Sequence, residues 1–265
     1  MASLLFIGLG LNNENGISIQ GMEIAKKADI VMIELYTNLM PELDLENLSK
    51  LLEKEVKVLK RSDLEENAED VILKNAYKNN IVLLVPGDPM VATTHVALRI
   101  QAENAGIRTR VIHSASIISA VAGATGLQVY KFGRTVTIPF NSSAPIPESL
   151  YSFISENEKS GSHTLALLDI DTEKDRCMKI DEAIEKLLQM EKLMKGKIID
   201  KERLAIGLSN IGSEKAIIKA AKIKELLRYR FDSPPFSIVL PGKLHFMEKE
   251  ALITLCNASK EDLEG

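Results

Sequence analysis

Apolar runs of strand length alternate with helically spaced apolar positions through the first half of the chain. Three such runs are "SLLFIGLG" at residues 3–10, "DIVMIELY" at 29–36 and "IVLLVP" at 81–86. Residues 63–78 instead place apolar side chains at helical spacing, and Ser18 precedes another helical stretch as a candidate N-cap. This alternation predicts βα units and a mainly parallel sheet.

The second half repeats the alternation after a break. Residues 141–150, "NSSAPIPESL", combine hydroxyl groups and prolines without periodicity, which predicts a linker or a lid. Beyond them we predict strands in residues 163–170, 203–212 and 235–242, and helices in residues 180–195, 214–227 and 248–256. The chain is therefore predicted to hold two α/β domains, residues 1–140 and 141–265.

The composition excludes several classes of protein. With 45% hydrophobic and 26% charged residues and a net charge of -4, the 265-residue chain is typical of a globular protein, and no basic stripe marks it as a nucleic-acid binder. No apolar run approaches the roughly 20 residues that span a bilayer. The two cysteines, Cys177 and Cys256, lack metal-ligand spacing and favour a reducing compartment. We expect a cytoplasmic protein without nucleic-acid or membrane partners.

A glycine pair follows the first predicted strand. Gly8 and Gly10, together with Glu34 at the end of the second predicted strand, match part of the dinucleotide-binding fingerprint. The third glycine of that fingerprint would fall on Asn13, which weighs against an NAD-dependent oxidoreductase. A tight turn that uses the glycines only for their backbone freedom explains the pair equally well.

The predicted strand at residues 81–85 ends in a corner with the sequence "PGDP" at residues 86–89. Its two prolines fix backbone dihedrals and remove amide donors, so they hold Gly87 and Asp88 in a defined shape. In an open parallel sheet, ligands bind beyond the carboxyl ends of the strands, which places Asp88 at a ligand-binding edge. A rigid turn with a solvated aspartate is the alternative.

The histidines carry no chemistry that the sequence can assign. The four of them have no spacing with cysteine or carboxylate residues that would make a metal site, so we expect no metal. Thr93, Thr94 and His95 open a predicted helix, where threonine can serve as an N-cap and His95 is typical of a surface or capping residue. No catalytic residue is assigned.

Seven short motifs occur in the order and approximate spacing of the diphthine synthase family. They are "FIGLGL", "ELYT", "PGDPMVATTH", "HSASI", "GLQVYKFG", "HTLALLDI" and "PPFSIVLPGKLH". From Leu5 to Glu250 the chain therefore resembles this family, which is a branch of the tetrapyrrole-methylase-like methyltransferases that bind S-adenosylmethionine.

The resemblance implies two α/β domains of the tetrapyrrole methylase type, with S-adenosylmethionine in a cleft between them, and it implies a homodimer. It also implies repeated methylation of the amino group on the modified histidine of translation elongation factor 2, with S-adenosylhomocysteine as the spent cofactor. The number of methyl groups and the proton acceptor stay open.

Carried over position by position, the resemblance implies eight cofactor contacts. They are Leu11, Asp88, Val91, Ser116, Ile117, Leu168, Ile211 and Phe236. Two places depart from the family pattern: Phe236 stands where a histidine is common, and "SNIG" stands where alanine-arginine-valine or a similar run is common. A phenylalanine ring can still stack on adenine, although the hydrogen bond of a histidine is lost.

Three alternatives stand beside the protein-modifying methyltransferase. A methyltransferase acting on a tetrapyrrole precursor would share the glycine pair and the corner, but "YKFG" and "HTLALLDI" favour the diphthine synthases. An NAD-dependent oxidoreductase would need the third glycine. A non-catalytic binding module is the last alternative, and the departures near residues 211 and 236 are the feature that favours it.

Overall fold

The computed structural model describes residues 2–140 and 147–263. The chain divides into two compact units, Met1–Ile117 and Ile118–Gly265. Within the described residues, no helix combines the length and the apolar character that crossing a membrane requires. Each unit is built around one five-stranded sheet.

The sheet of the first unit is entirely parallel, as the sequence predicted. Its strands are β1 (Ser3–Gly8), β2 (Ile30–Glu34), β3 (Val56–Leu59), β4 (Asn80–Val85) and β5 (Arg108–Ile112), in the order β3-β2-β4-β1-β5. Consecutive residues of a strand face opposite sides of the sheet. Phe6 accordingly packs in the core on one side and Ile7 in the core on the other.

Helices cover both faces of this sheet, which is why its strands read as continuous apolar runs. They are α1 (Ile19–Lys27), α2 (Leu45–Leu52), α3 (Arg61–Glu65), α4 (Lys74–Ala76) and α5 (His95–Asn104), with a π-helical turn at Glu69–Leu73. The Ser18 hydroxyl accepts a hydrogen bond from the Gly21 amide at 3.0 Å, which confirms the predicted N-cap of α1. Helix α6 (Ile117–Thr125) follows β5.

The sheet of the second unit is mixed. Its strands are β6 (Val136–Ile138), β7 (Thr164–Leu168), β10 (Leu204–Ser209), β11 (Ile217–Lys222) and β12 (Phe236–Leu240), in the order β11-β10-β12-β7-β6, beside a short hairpin of β8 (Ile170–Asp171) and β9 (Arg176–Cys177). Among the described residues of this sheet, β6 and β7 pair in parallel and the other neighbouring strands pair antiparallel. The helices are α7 (Glu148–Ser160), α8 (Ile180–Met194), α9 (Ile223–Leu226) and α10 (Phe246–Cys256).

The helix predicted for residues 214–227 is wrong over most of its length. Residues Ile217–Lys222 form β11, which pairs along all six of its positions with β10. Ala220 and Ala221 are fully buried in the sheet. Alanine and lysine favour helix by intrinsic propensity, but ladder hydrogen bonds and burial in the sheet override that preference.

The break between the predicted domains lies partly outside the described residues. Of the linker or lid predicted at 141–150, residues 141–146 are outside the described residues, and α7 begins at Glu148. The predicted division at residues 140 and 141 assigns β6 to the first domain. In the structure β6 pairs with β7 of the second sheet.

A buried charged cluster anchors α10 in the second unit. The Glu248 carboxylate is buried and accepts hydrogen bonds from the Lys131 ammonium, from His163 Nε2 at 3.0 Å and from the Gln128 and His245 amides. Burial raises the pKa of Glu248, but these four donors more than offset it and lower the pKa to about 2. The cluster therefore depends on a charged carboxylate.

Candidate functional site

The segments after three neighbouring strands of the first sheet meet at one edge. Strands β4, β1 and β5 lie side by side and run parallel, so their carboxyl ends share that edge. The predicted cofactor contacts of this unit all follow these strands: Leu11 after β1, Asp88 and Val91 after β4, and Ser116 and Ile117 after β5. The fold thus brings together five positions that are spread over more than a hundred residues of sequence.

The glycine loop (residues 8–10) and the corner (residues 86–89) are hydrogen-bonded to each other. The Gly10 amide donates to the Gly87 carbonyl at 3.2 Å, and the Gly87 amide donates back to the Gly10 carbonyl at 2.7 Å. Both residues have positive φ, +79° and +70°, a conformation that favours glycine. Two backbone hydrogen bonds therefore hold the glycine loop against the corner.

Gly8 lies too close to the corner to carry a side chain. A Cβ at this position would be 2.5 Å from the Gly87 carbonyl oxygen and 2.7 Å from Ser114 Cβ. We predict that Gly8→Ala destabilises the first unit by about 1–3 kcal/mol, because the corner must move away. Chemical denaturation measures this change. Gly123→Ala in α6 is the control, since no described residue outside the backbone of its own helix lies within 4 Å of its Cβ position; a loss as large in Gly123→Ala would contradict the explanation.

Asp88 connects the corner to the segment after β5. Its Oδ2 accepts hydrogen bonds from His113 Nδ1 at 2.8 Å and from the Ser114 amide at 3.2 Å, and its Oδ1 accepts from the Met90 amide at 3.0 Å. Only 8% of Asp88 is exposed, whereas the His113 side chain is 70% exposed. The solvated aspartate of the alternative interpretation is therefore wrong: Asp88 is a buried crosslink.

The position that a side chain at Gly87 would occupy is bordered at van der Waals distance by small and polar groups. Apart from its chain neighbours, the nearest atoms to a Cβ built on Gly87 are Ser116 Cβ at 3.8 Å, Asn38 Nδ2 at 3.9 Å and the Ala115 carbonyl oxygen at 4.0 Å. A group bound against this backbone would meet polar atoms from the segments after β2 and β5. The amide and carbonyl groups that border this turn are possible hydrogen-bond partners for the hydroxyl and amino groups of a nucleoside.

The predicted contacts of the second unit share one end of its sheet. Leu168 is the last residue of β7, Phe236 is the first of β12, and Ile211 lies two positions beyond the end of β10. The antiparallel register pairs Phe236 with Ser209 and Ser237 with Leu167, which puts these strand ends side by side. Leu168 and Ile211 are buried and Phe236 is half-buried. Their contact with a cofactor stays a prediction, as it does for the five positions of the first unit.

Glu34 and His95 form a buried pair that the sequence did not reveal. His95 is 2% exposed and Glu34 is fully buried, with His95 Nε2 3.7 Å from Glu34 Oε1. The expectation that His95 lies at the surface or caps the helix is therefore wrong. Glu34 also accepts hydrogen bonds from the Tyr36 and Thr37 amides and from the Thr37 hydroxyl. These contacts leave it unable to bind a ribose in the way a dinucleotide fold requires.

The side chains of the described ranges, 2–140 and 147–263, include no group of three or more histidine, cysteine, aspartate or glutamate residues placed to hold a metal ion. The first unit's edge offers backbone amides and carbonyls, small side chains, the buried Asp88 carboxylate and the exposed His113 imidazole that is hydrogen-bonded to it. Such an edge is suited to binding and orienting an uncharged or cationic nucleoside.

Known proteins resemble this chain over nearly its full length. The family model described as Tetrapyrrole (Corrin/Porphyrin) Methylases matches residues 3–227. A diphthine synthase of Methanosphaera stadtmanae is 40% identical over 98% of both chains, and one of Methanocella arvoryzae is 44% identical over 94% of this chain and 96% of its own. A crystal structure of a diphthine synthase superposes with a TM-score of 0.86 at 38% identity, covering 97% of each chain.

Proposed function

Because this chain belongs to the tetrapyrrole (corrin/porphyrin) methylase family, and within it to the diphthine synthases, we propose that it is an S-adenosylmethionine-dependent methyltransferase of diphthamide biosynthesis. It repeatedly methylates the amino group of the modified histidine of translation elongation factor 2. The observation that carries this function is the match to diphthine synthases from end to end, at 40% identity over 98% of both chains. A shared cofactor-binding unit alone would not produce a match of that extent.

The edge of the first unit supports the cofactor assignment. Leu11, Val91 and Ile117 are half-buried, and they belong to the segments that follow β1, β4 and β5, next to the hydrogen-bonded glycine loop and corner. Asp88 holds the corner to the segment before Ser116. We assign Leu168, Ile211 and Phe236 of the second unit to the same cofactor.

The role of these residues is to bind and orient. S-adenosylmethionine, when bound, supplies an electrophilic methyl group and leaves as S-adenosylhomocysteine. The acceptor amine must be neutral and in line with that methyl group, and positioning alone can supply much of the rate. The carboxylates of Asp88 and Glu34 already accept several hydrogen bonds each. We therefore assign the proton shed by the amine to water rather than to either carboxylate.

The proposal also includes a cellular location and an oligomeric state. A translation factor is a cytoplasmic protein, so we place the methyltransferase in the cytoplasm. Pairing of two copies as a homodimer is part of the same proposal. Light scattering of the purified protein tests it and is expected to give twice the chain mass.

Methyl transfer to the proposed acceptor is the direct test of function. Purified protein is incubated with methyl-labelled S-adenosylmethionine and unmethylated elongation factor 2. We expect label in the factor, and mass spectrometry of the peptide that carries the modified histidine should show more than one added methyl group.

Two controls separate the alternatives. A factor in which the acceptor histidine is replaced should remain unlabelled. A porphyrinogen offered in place of the factor should also remain unlabelled, and label there would favour the tetrapyrrole methyltransferase. Binding of S-adenosylmethionine without transfer to either acceptor would favour the non-catalytic module.

A further inference from the structure

His95 lies beneath the corner that the proposed function assigns to the cofactor. It is the first residue of α5, and its Nδ1 is 3.2 Å from the Pro89 carbonyl oxygen. A carbonyl oxygen can only accept, so the proton of the imidazole sits on Nδ1. Pro89 has no amide hydrogen, and its Cδ is 3.0 Å from the Cβ position of Gly8. The imidazole therefore contacts the corner at the residue that packs against the glycine loop.

The other nitrogen of His95 faces Glu34, the last residue of β2. Nε2 is 3.7 Å from Glu34 Oε1 and makes no hydrogen bond within residues 2–140 and 147–263. Burial lowers the pKa of His95, although the Glu34 carboxylate pulls it upward. The imidazole is therefore neutral at physiological pH, in agreement with a single proton on Nδ1.

One buried side chain thus lies between two segments at the carboxyl edge of the sheet. Glu34 organises the segment that leads to Asn38, through the Tyr36 and Thr37 amides. Asn38 Nδ2 lies 3.9 Å from the position that a Cβ of Gly87 would occupy. The imidazole lies between the Pro89 carbonyl, to which it is hydrogen-bonded, and the Glu34 carboxylate, to which it is not.

We propose that His95 is a positioning residue for S-adenosylmethionine: by donating from Nδ1 to the Pro89 carbonyl, it sets the geometry of the 86–89 corner against which the nucleoside binds. This role rests on the proposed function. His95 touches neither the cofactor nor the acceptor, because it is buried behind the corner. Its effect is on cofactor affinity through the Pro89 peptide.

Three substitutions at position 95 isolate the Nδ1 donor. Asparagine places its side-chain N–H the same number of bonds from Cα as Nδ1 and keeps the bond to Pro89. Leucine fills similar space without a donor, and glutamine places its donor one bond farther along. Affinity for S-adenosylhomocysteine is measured by calorimetry, and the melting temperature of each variant is recorded beside it.

We expect His95→Leu and His95→Gln to bind S-adenosylhomocysteine about tenfold more weakly than the wild type, as loss of one buried hydrogen bond implies. His95→Asn is expected to stay within about threefold of the wild type even where its melting temperature is lowered. The matched control is His163→Leu, a fully buried histidine of the second unit. It should lower the melting temperature and leave the affinity unchanged.

The outcomes are distinguishable. Wild-type affinity in His95→Leu or His95→Gln, or equal loss in those variants and in His95→Asn, would overturn the positioning role while the proposed function stands. Absence of any wild-type binding of S-adenosylhomocysteine would overturn both. If His95→Leu does not fold, the comparison of His95→Gln with His95→Asn decides the question.

Discussion

Replacing Asp88 with alanine is expected to weaken binding of S-adenosylmethionine by about 100-fold, equivalent to about 2.7 kcal/mol. The substitution removes three hydrogen bonds at once and leaves the Met90 and Ser114 amides without their acceptor. The corner then loses its connection to the segment after β5. Isothermal titration calorimetry with S-adenosylmethionine measures the effect.

Asp29→Ala is the matched control for Asp88→Ala. Asp29 lies at the opposite end of the same sheet, where its carboxylate accepts a hydrogen bond from the Asn80 amide at 2.7 Å. This substitution removes a comparable carboxylate-to-amide bond away from the corner and should leave cofactor affinity unchanged. Equal affinities in wild type and Asp88→Ala would refute the assignment of the corner to the cofactor.

Replacing Glu248 with alanine is expected to destabilise the second unit by about 3–5 kcal/mol, the usual effect of removing one partner from a buried charged cluster. The Lys131 ammonium and His163 Nε2 would lose their acceptor. Urea unfolding followed by circular dichroism, fitted with one transition for each unit, measures the loss. Glu250→Ala changes an exposed glutamate of the same helix and should leave the stability nearly unchanged; a similar loss in both variants would contradict the prediction.

Ionisation of the Glu248 carboxylate is expected to make the stability of the second unit decrease as the pH is lowered. The pKa of Glu248 is lowered to about 2 in the folded protein, below its ordinary value of 4.5. Its stabilisation is therefore fully present above pH 4.5 and is lost as the pH falls towards 2. The difference in unfolding free energy between wild type and Glu248→Gln should shrink over that range. A constant difference from neutral pH down to pH 2 would show that the charge of Glu248 is not what stabilises the cluster.

The first sheet was predictable because local and tertiary preferences agree there. A parallel strand covered by helices on both faces must be apolar on both sides, and the runs at β1, β2 and β4 show that pattern directly in the sequence. The strand at β11 was not predictable in the same way. Its residues have no strand-like apolar run, and only the neighbouring β10 provides the hydrogen bonds that make it a strand.

The candidate site was predictable to a smaller extent. Two prolines around a glycine mark the corner from sequence alone, because their effect on the backbone is local. The hydrogen bond from the Ser114 amide to Asp88 joins residues 26 positions apart. The hydrophobic periodicity of the sequence does not indicate such a contact. The burial of His95 is also invisible in the sequence, since a histidine at a helix start has the same local pattern whether or not a carboxylate lies beside it.

The sequence by itself determined the parallel βα organisation of the first unit, the position of the 86–89 corner and, through its motifs, the family. Only the tertiary structure decided that the corner is bonded to the glycine loop, that Asp88 is a buried crosslink and that His95 supports the Pro89 carbonyl. The physical reason is the range of the interactions. Dihedral restrictions and hydrophobic periodicity act within a few residues, whereas hydrogen bonds between strand ends depend on which strands the fold places side by side.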